Sequence, residues 1–483
     1  MATPTSTIEH IEYRVVMLCS GSREVLAVRS ENGNHQPLRV SLPAYTRMAP
    51  RLHRALQTGW GLHGMILDLI SEHDAASPCV VVELFTEPVP ATLHPISLDK
   101  IASSALSAGE RAAISKMQDD TTSVPFARPG WIEDAITWVE DTTGERVLSK
   151  LEIEQYNAGG AFALIRFPMK GGQAYWFKAT GEPNAHEMPM SCLLAKLCAG
   201  YVPNILAVHP SWNAWLMEGT TAEAAEHAFT PGDTLRKLEY AVEGLAELQI
   251  RTLGHETDLF AAGAFDQRVA TLRTHSTILF ERIREAMMLQ TSTKAARIEG
   301  LRLHNLHASF DRACEVIEEL DIPPTLIHGD MNAGNVVYRN GRCQFIDWCE
   351  AYVGLPLVTL QHLLLLNRPD RQEQKVKTDP DLVARYCAVI GKVCPATVQK
   401  RTIACMPLLA AASAMYGRGD WFGNSLHHAP QRQAYVRTLA RYMDQAAQAG
   451  DLIEAIGSRS STGPIGPDKL RGRGEGSHAT PSA

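Results

Sequence analysis

What this sequence lacks narrows it first. Its ten cysteines form no CxxC pair; Cys192 and Cys198 sit six apart, as do Cys343 and Cys349. That spacing argues against a zinc site and fits a reduced, cytoplasmic chain. His186-Glu187 is not half of an HExxH zinc motif, because position 190 is methionine. The opening residues MATPTSTIEHIEYR have no basic stretch followed by an apolar core, so no secretory signal is expected. No apolar run approaches the ~20 residues that span a bilayer. The greasiest stretches, Leu363 to Leu366 and Pro407 to Met415, fit buried helices, so no membrane partner is expected. A formal net charge of −7 is mild for 483 residues and argues against a general nucleic-acid binder. There is no internal repeat, and no feature specifies an oligomeric state.

What is present is the composition of a folded protein, 45% hydrophobic and 20% charged, with a length that suggests two or three folded units. Residues 12–20, 23–30 and 79–85 are β-branched, apolar and bounded by turn formers, so they read as strands. Residues 46–58 have helical spacing, which makes 1–95 a small α/β domain of unknown role. Residues 97–118 read as a helix, and Asp119 to Pro129 as a polar linker. This division, with 96–130 as helix and linker, predicts that the chain from Trp131 onward folds without the residues before it. Trp131 to Glu140 is a short amphipathic helix with Ile132, Ile136 and Val139 on one face.

Residues 131–217 then read as a compact antiparallel lobe. Its strands are expected at 150–156, 162–168, 173–179, 202–209 and 214–217, with a helix from Pro189 to about Ala199. From 218 to 457 the chain is mainly helical, with apolar spacing over 235–252, 264–289, 294–320, 379–393, 398–415 and 430–449. One β-rich island, 325–347, interrupts it. The Gly-, Ser-, Pro- and Arg-rich stretch 458–483 is expected to be disordered. The fold class is α+β.

The island carries the chemistry. Leu326 to Glu350 reads LIHGDMNAGNVVYRNGRCQFIDWCE. It predicts an apolar lead-in, a polar loop, a strand, an Asn340-Gly341 hairpin turn and a second strand ending in Asp347. That layout holds Asp330 and Asn335 on one loop and returns Asp347 beside them. Phosphoryl transfer needs such a set: a carboxylate near the acceptor hydroxyl, and hard oxygen ligands for the cation on the nucleotide phosphates.

The pattern H-G-D-x4-N, followed by I-D-W, resembles the catalytic loop and metal-binding aspartate of aminoglycoside phosphotransferases and choline-kinase-like enzymes, relatives of protein kinases. The resemblance covers about residues 130–450 and implies a bilobal, protein kinase-like fold. It implies Asp330 as catalytic base, His328 bracing the loop, Asn335 and Asp347 as Mg²⁺ ligands, and ATP as phosphoryl donor to a small-molecule hydroxyl. Gly354-Leu355-Pro356 fits the family's G-x-P, although Thr359 stands where many members carry an aspartate. Lys178, at the end of the third strand of the lobe, would reach the α- and β-phosphates, with Glu187 or Glu182 as its ion-pair partner. Main-chain groups near Met217 and Glu218 would meet the adenine. Amides of the Gly159-Gly160 turn would cradle phosphate, or the two glycines serve the turn alone. Glu350 is a further acid near the metal or a solvated loop residue. Residues 1–95 loosely resemble a Nudix domain that lacks the catalytic glutamates. An active small-molecule kinase is one reading; a nucleotide-binding, non-catalytic sensor is the alternative.

Overall fold

The structure is a computed structural model and describes residues 9–19, 21–44, 46–71, 77–85, 89–219, 234–339, 342–366, 372–417 and 429–457. The Asn340-Gly341 turn, His427-His428 and the stretch 458–483 lie outside the described residues. The chain is α+β and divides into two compact units. The first comprises Met1–Met188 and Pro203–Ala228, the second Pro189–Val202 and Phe229–Ala483.

The first unit opens with β1 (His10–Leu18), β2 (Glu24–Arg29), β3 (His35–Gln36), β4 (Leu38–Pro43), α1 (Met48–Trp60), β5 (Gly64–Ile70), β6 (Cys79–Leu84) and β7 (His94–Ser97). These strands form a seven-stranded sheet of order β3-β2-β1-β6-β5, with β4 on β1 and β7 on β2. The pair β1/β6 is parallel and the other pairs are antiparallel. All six residues of β6 are buried, which is why CVVVEL is a nearly continuous apolar run rather than an alternation. The period of two sends Val15 and Met17 of β1 to one face, with Leu52 and Leu56 of α1. It sends Val16 and Leu18 to the other.

That other face is where the expected boundary disappears. Its cluster also holds Phe126, Trp131, Ile132, Ile165, Phe167 and Phe177. The polar-looking stretch after Gln118 is therefore no free linker. It places Phe126 and Ala127 in the core, with the Phe126 ring 5.0 Å from Trp131 and 6.0 Å from Phe177. One aromatic residue outweighs the polar composition around it, because burying such a ring contributes about 1.5–3 kcal/mol. The helix expected over 97–118 is also shorter. Residues 94–97 pair with β2 instead, and α2 (Ala108–Gln118) starts at a capping box in which Ser107 and Glu110 satisfy each other's amides. Glu110 is fully buried and paired with Arg14 at 2.6 Å.

After α3 (Trp131–Thr143) come β8 (Glu154–Gly159), β9 (Phe162–Pro168), β10 (Ala174–Ala179), α4 (Glu187–Leu197), β11 (Ile205–His209) and β12 (Ala214–Glu218). The strands make a five-stranded antiparallel sheet of order β11-β12-β10-β9-β8. Ala163, Ile165 and Phe167 of β9 are buried in alternation.

The second unit holds α5 (Thr234–Arg251), α6 (Glu256–Ala261), β13 (Phe265–Gln267), α7 (Val269–Thr274), α8 (Ser276–Met288) and α9 (Gly300–Glu319). It continues with β14 (Thr325–Ile327), β15 (Val336–Arg339), β16 (Arg342–Phe345), β17 (Tyr352–Gly354) and α10 (Leu357–Leu366). It ends with α11 (Gln372–Ile390), α12 (Ala396–Tyr416), α13 (Pro430–Ala447) and α14 (Gly450–Gly457). The single helix expected over 264–289 is a strand and two helices. The Phe265 amide donates to the Ala351 carbonyl, which draws residues 265–267 into parallel pairing with β17. The sheet β13-β17-β14 and the hairpin β15-β16 carry the polar loop between them.

Candidate active site

In the first unit, Phe177 and Ala179 of β10 point into the core. Alternation therefore puts Lys178 on the opposite face, with a side chain 17% exposed. Its Nζ meets Oε1 of Glu187 at 2.5 Å, and the Glu187 side chain is 2% exposed. Of the two acids adjacent in sequence, Glu187 makes the pair. It occupies the first turn of α4, where a carboxylate is favoured by the helix dipole. Trp215, opposite Lys178 in the register of β12, has its ring centre 5.8 Å from the ammonium. A buried pair of this kind fixes geometry more than it adds stability, since desolvation offsets much of the attraction.

Met217 and Glu218 end β12, which is paired on both sides. The Glu218 amide donates to the Asn204 carbonyl at 3.2 Å, and Asn204 Nδ2 donates to Glu218 Oε1 at 3.0 Å. The Glu218 amide is thus occupied within the protein. Next to it the Gly219 amide donates to the Ala174 carbonyl. A Cβ there would stand 2.2 Å from that oxygen, so glycine is required.

The turn after β8 also differs from expectation. The Gly160 amide donates to Oδ1 of Asp68 at 2.9 Å, and its carbonyl accepts from the Phe126 amide at 3.0 Å. That amide is committed to a carboxylate and does not face outward as a phosphate donor.

In the second unit the polar loop is held by side-chain to main-chain bonds. The Asn335 amide nitrogen donates to the Asp330 carbonyl at 2.8 Å and to Asp330 Oδ2 at 3.1 Å. The Asn335 carbonyl accepts from the Ile346 amide at 3.1 Å, which ties the loop to the residue before Asp347. Asn332 caps the short turn 333–335 by accepting from the Gly334 amide. Asp330 itself is exposed. Gly329 lies so close to Glu350 that a Cβ would fall 2.2 Å from the Glu350 carbonyl oxygen. Glu350 is thereby fixed beside the loop.

His328 is 1% exposed. Its Nε2 lies 2.8 Å from the Ile346 carbonyl, so Nε2 carries the proton and donates it. Its ring packs on Trp348 with centres 4.5 Å apart. Burial holds the imidazole below its ordinary pKa, and the nearby Asp347 and Asp330 charges only partly offset that. A neutral, tied imidazole suits a brace. Asp347 has φ +69°, a left-handed conformation rare for a residue with a side chain. Its Oδ1 is 3.5 Å from the Cys349 thiol. Strained residues of this kind collect at functional sites. The oxygen donors of Asn335 and Asp347 form a set suited to Mg²⁺.

One residue escaped the sequence reading, and another entered it only as a departure from the family. His362 and Thr359 lie a turn apart on α10 and are 5% and 0% exposed. His362 Nε2 bonds the Ala410 carbonyl at 3.0 Å. Neither His362 Nδ1 nor Thr359 Oγ1 has a partner among the described residues. The Asp330 charge raises the pKa of His362 against the larger lowering by burial, and it raises that of Tyr435 after burial. The signal in the sequence was a polar pair inside the apolar LVTLQHLLLL.

Residues 195–395 match the model of the phosphotransferase enzyme family. That span includes His328 through Asp347 and excludes Lys178 and Glu187. No curated protein sequence matches the chain. Among solved structures, the chain is similar to an ethanolamine kinase from Plasmodium vivax, with 14% identity and TM-score 0.43 over 72% of this chain and 97% of that one. It is also similar to a choline/ethanolamine kinase family protein from Mesorhizobium loti, with 15% identity and TM-score 0.37 over 71% and 98%. A macrolide 2'-phosphotransferase from Brachybacterium faecium gives 16% identity and TM-score 0.39 over 63% and 98%.

Proposed function

We propose that this chain is a phosphotransferase that moves the γ-phosphoryl group of ATP to a hydroxyl of a small molecule. The observation that carries this reading is the tie among Asp330, Asn335 and the Ile346–Asp347 step. One exposed carboxylate and one hard-oxygen donor share a loop, and that loop is tied to the residue before the second donor. The match of residues 195–395 to the phosphotransferase enzyme family supports it.

Each side chain then has a task. Asp330 is the base that accepts the acceptor hydroxyl proton as the oxygen attacks phosphorus and the bond to the β-phosphate oxygen breaks. Asn335 and Asp347 would hold Mg²⁺, which supplies neutralisation of the phosphate charge. Asn335 can do so while its amide nitrogen stays on Asp330, because its oxygen is a separate atom. Lys178, aimed by Glu187, contacts the nucleotide phosphates. His328, kept neutral by burial, fixes the carbonyl of Ile346 and with it the approach to Asp347. The acceptor belongs to the amino-sugar, aminoglycoside, choline-like or amino-alcohol class, and catalysis is cytoplasmic.

An acceptor screen tests this. ADP formation should depend on one of these acceptor classes and on Mg²⁺. Tight nucleotide binding with no acceptor-dependent ADP from any of them would reassign the chain as a nucleotide-binding sensor.

A further inference from the structure

The N-terminal sheet meets the five-stranded sheet along β5 and β8, and both strands are irregular there. The register of β5 shifts between Ile66 and Asp68, and that of β8 shifts between Gln155 and Asn157. Bulges re-aim side chains, and these two do so toward each other. Gln155 is 3% exposed. Its Oε1 accepts from the Ile66 amide and its Nε2 donates to the Ile66 carbonyl, both at 2.9 Å. His53 Nε2 lies 3.0 Å from the same Oε1. One step on, Asp68 Oδ1 accepts from its neighbour Leu69 and from Gly160, each at 2.9 Å.

The tip of the β8–β9 turn is enclosed on its other sides too. A Cβ on Gly160 would stand 3.0 Å from Val124 Cγ2, 3.2 Å from Ala127 Cβ and 3.3 Å from Asp68 Oδ2. Behind Ala161, a Cβ on Gly181 would stand 2.5 Å from the Ala161 Cβ. A hairpin tip that needed only turn chemistry would not require a carboxylate from a strand 92 residues away.

We infer that the N-terminal sheet is a brace for the nucleotide-covering turn, with Asp68 as the positioning residue that holds Gly160. This rests on the phosphotransferase reading, with the β8–β9 turn on the nucleotide side as the sequence resemblance implies. The brace preorganises the turn, so binding nucleotide does not have to order it. Asp68 acts through Gly160 and does not touch substrate.

The test uses the full chain. Asp68→Ala should raise the nucleotide KM about tenfold, the scale of one lost hydrogen bond to a charged group. It should leave the acceptor KM unchanged, and amide exchange at Gly160 should accelerate. Asp68→Asn keeps the acceptor oxygen and should restore both. Gly160→Ala, which crowds Val124 and Ala127, should reproduce the nucleotide defect. Accelerated exchange with unchanged nucleotide KM would overturn the positioning role, and unchanged exchange would overturn the tether itself. Equal loss in every parameter, with a collapsed melting transition and no rescue by asparagine, would reduce Asp68 to a structural residue. Direct titration of the wild type with Mg·ATP separates the two readings: no binding at all removes the phosphotransferase reading and this inference with it.

Discussion

The two sets of candidate residues, one in each unit, are built by opposite means. Lys178 and Glu187 stand on a strand and a helix, and the pair is buried, at 17% and 2% side-chain exposure. Asp330, Asn335 and Asp347 stand on irregular chain, with Asp330 exposed and Asp347 at φ +69°. In the first half, regular elements and desolvation hold the geometry. In the second, side chains hold the main chain: Asn335 on Asp330, Asn332 on Gly334, His328 on Ile346. The difference teaches where each half is vulnerable. The buried pair should fail through stability, and the loop should fail through rate.

The largest effect should come from removing what the buried half stands on. Deleting residues 1 to about 120 strips Val16, Leu18, Val25, Val81 and Ile114 from a cluster shared with Trp131, Phe167 and Phe177. The remaining chain should aggregate without cooperative melting in calorimetry. A soluble fragment with a sharp transition would return the boundary to the polar stretch after Gln118.

Next is the loop. Asp330→Ala should lower kcat by roughly 10²–10⁴-fold, the usual contribution of a general base, while Mg·ATP affinity and melting temperature hold. Steady-state kinetics beside calorimetric titration would show it; a parallel fall in stability would mean the loop is no more tolerant than the buried pair.

Glu187→Ala should do the reverse. It removes the acid paired with a largely buried ammonium and should cost about 3–5 kcal/mol of stability by denaturant titration. Replacing both residues by apolar ones of similar size should recover most of that stability and none of the turnover. If the single variant is as stable as the wild type, the pair is solvated in solution.

The smallest effect is graded with pH. Burial lowers the pKa of His53 in the first unit and of His328 and His362 in the second. Each takes a proton at a lower pH in the folded chain than in the unfolded chain, which does so below the ordinary value of 6.5. Stability is therefore full above pH ~6.5 and falls as pH drops below it, by up to about 1.4 kcal/mol per pH unit for each histidine. His328→Asn should reduce that slope in urea titrations between pH 7 and 5; an unchanged slope would mean that His328 is not the neutral brace.

The loop half was more legible in the sequence than the seam that braces the other half. His328 to Asp347 is one continuous stretch, and a hairpin spacing returns its end to its start, so local rules suffice. Lys178 was readable because it is the single charged residue of the apolar strand AYWFKA. The Asp68–Gly160 tether was not, because it depends on two bulges and on pairing between segments far apart in sequence. Nor was the shared core, because Phe126 sits among polar residues whose composition reads as a linker. His362 was hidden inside an apolar helix, where one polar residue has no local consequence that a pattern could register.

The most direct measurement follows the γ-phosphoryl group itself. Wild-type chain and Asp330→Ala would each be mixed in single turnover with γ-labelled ATP, Mg²⁺ and a mixture of amino-sugar, aminoglycoside, choline-like and amino-alcohol acceptors. Label is expected in a small-molecule phosphate ester with the wild type and almost none with Asp330→Ala, at equal nucleotide occupancy. Label that stays in ATP, or appears only as inorganic phosphate at the same rate with both proteins, would contradict it.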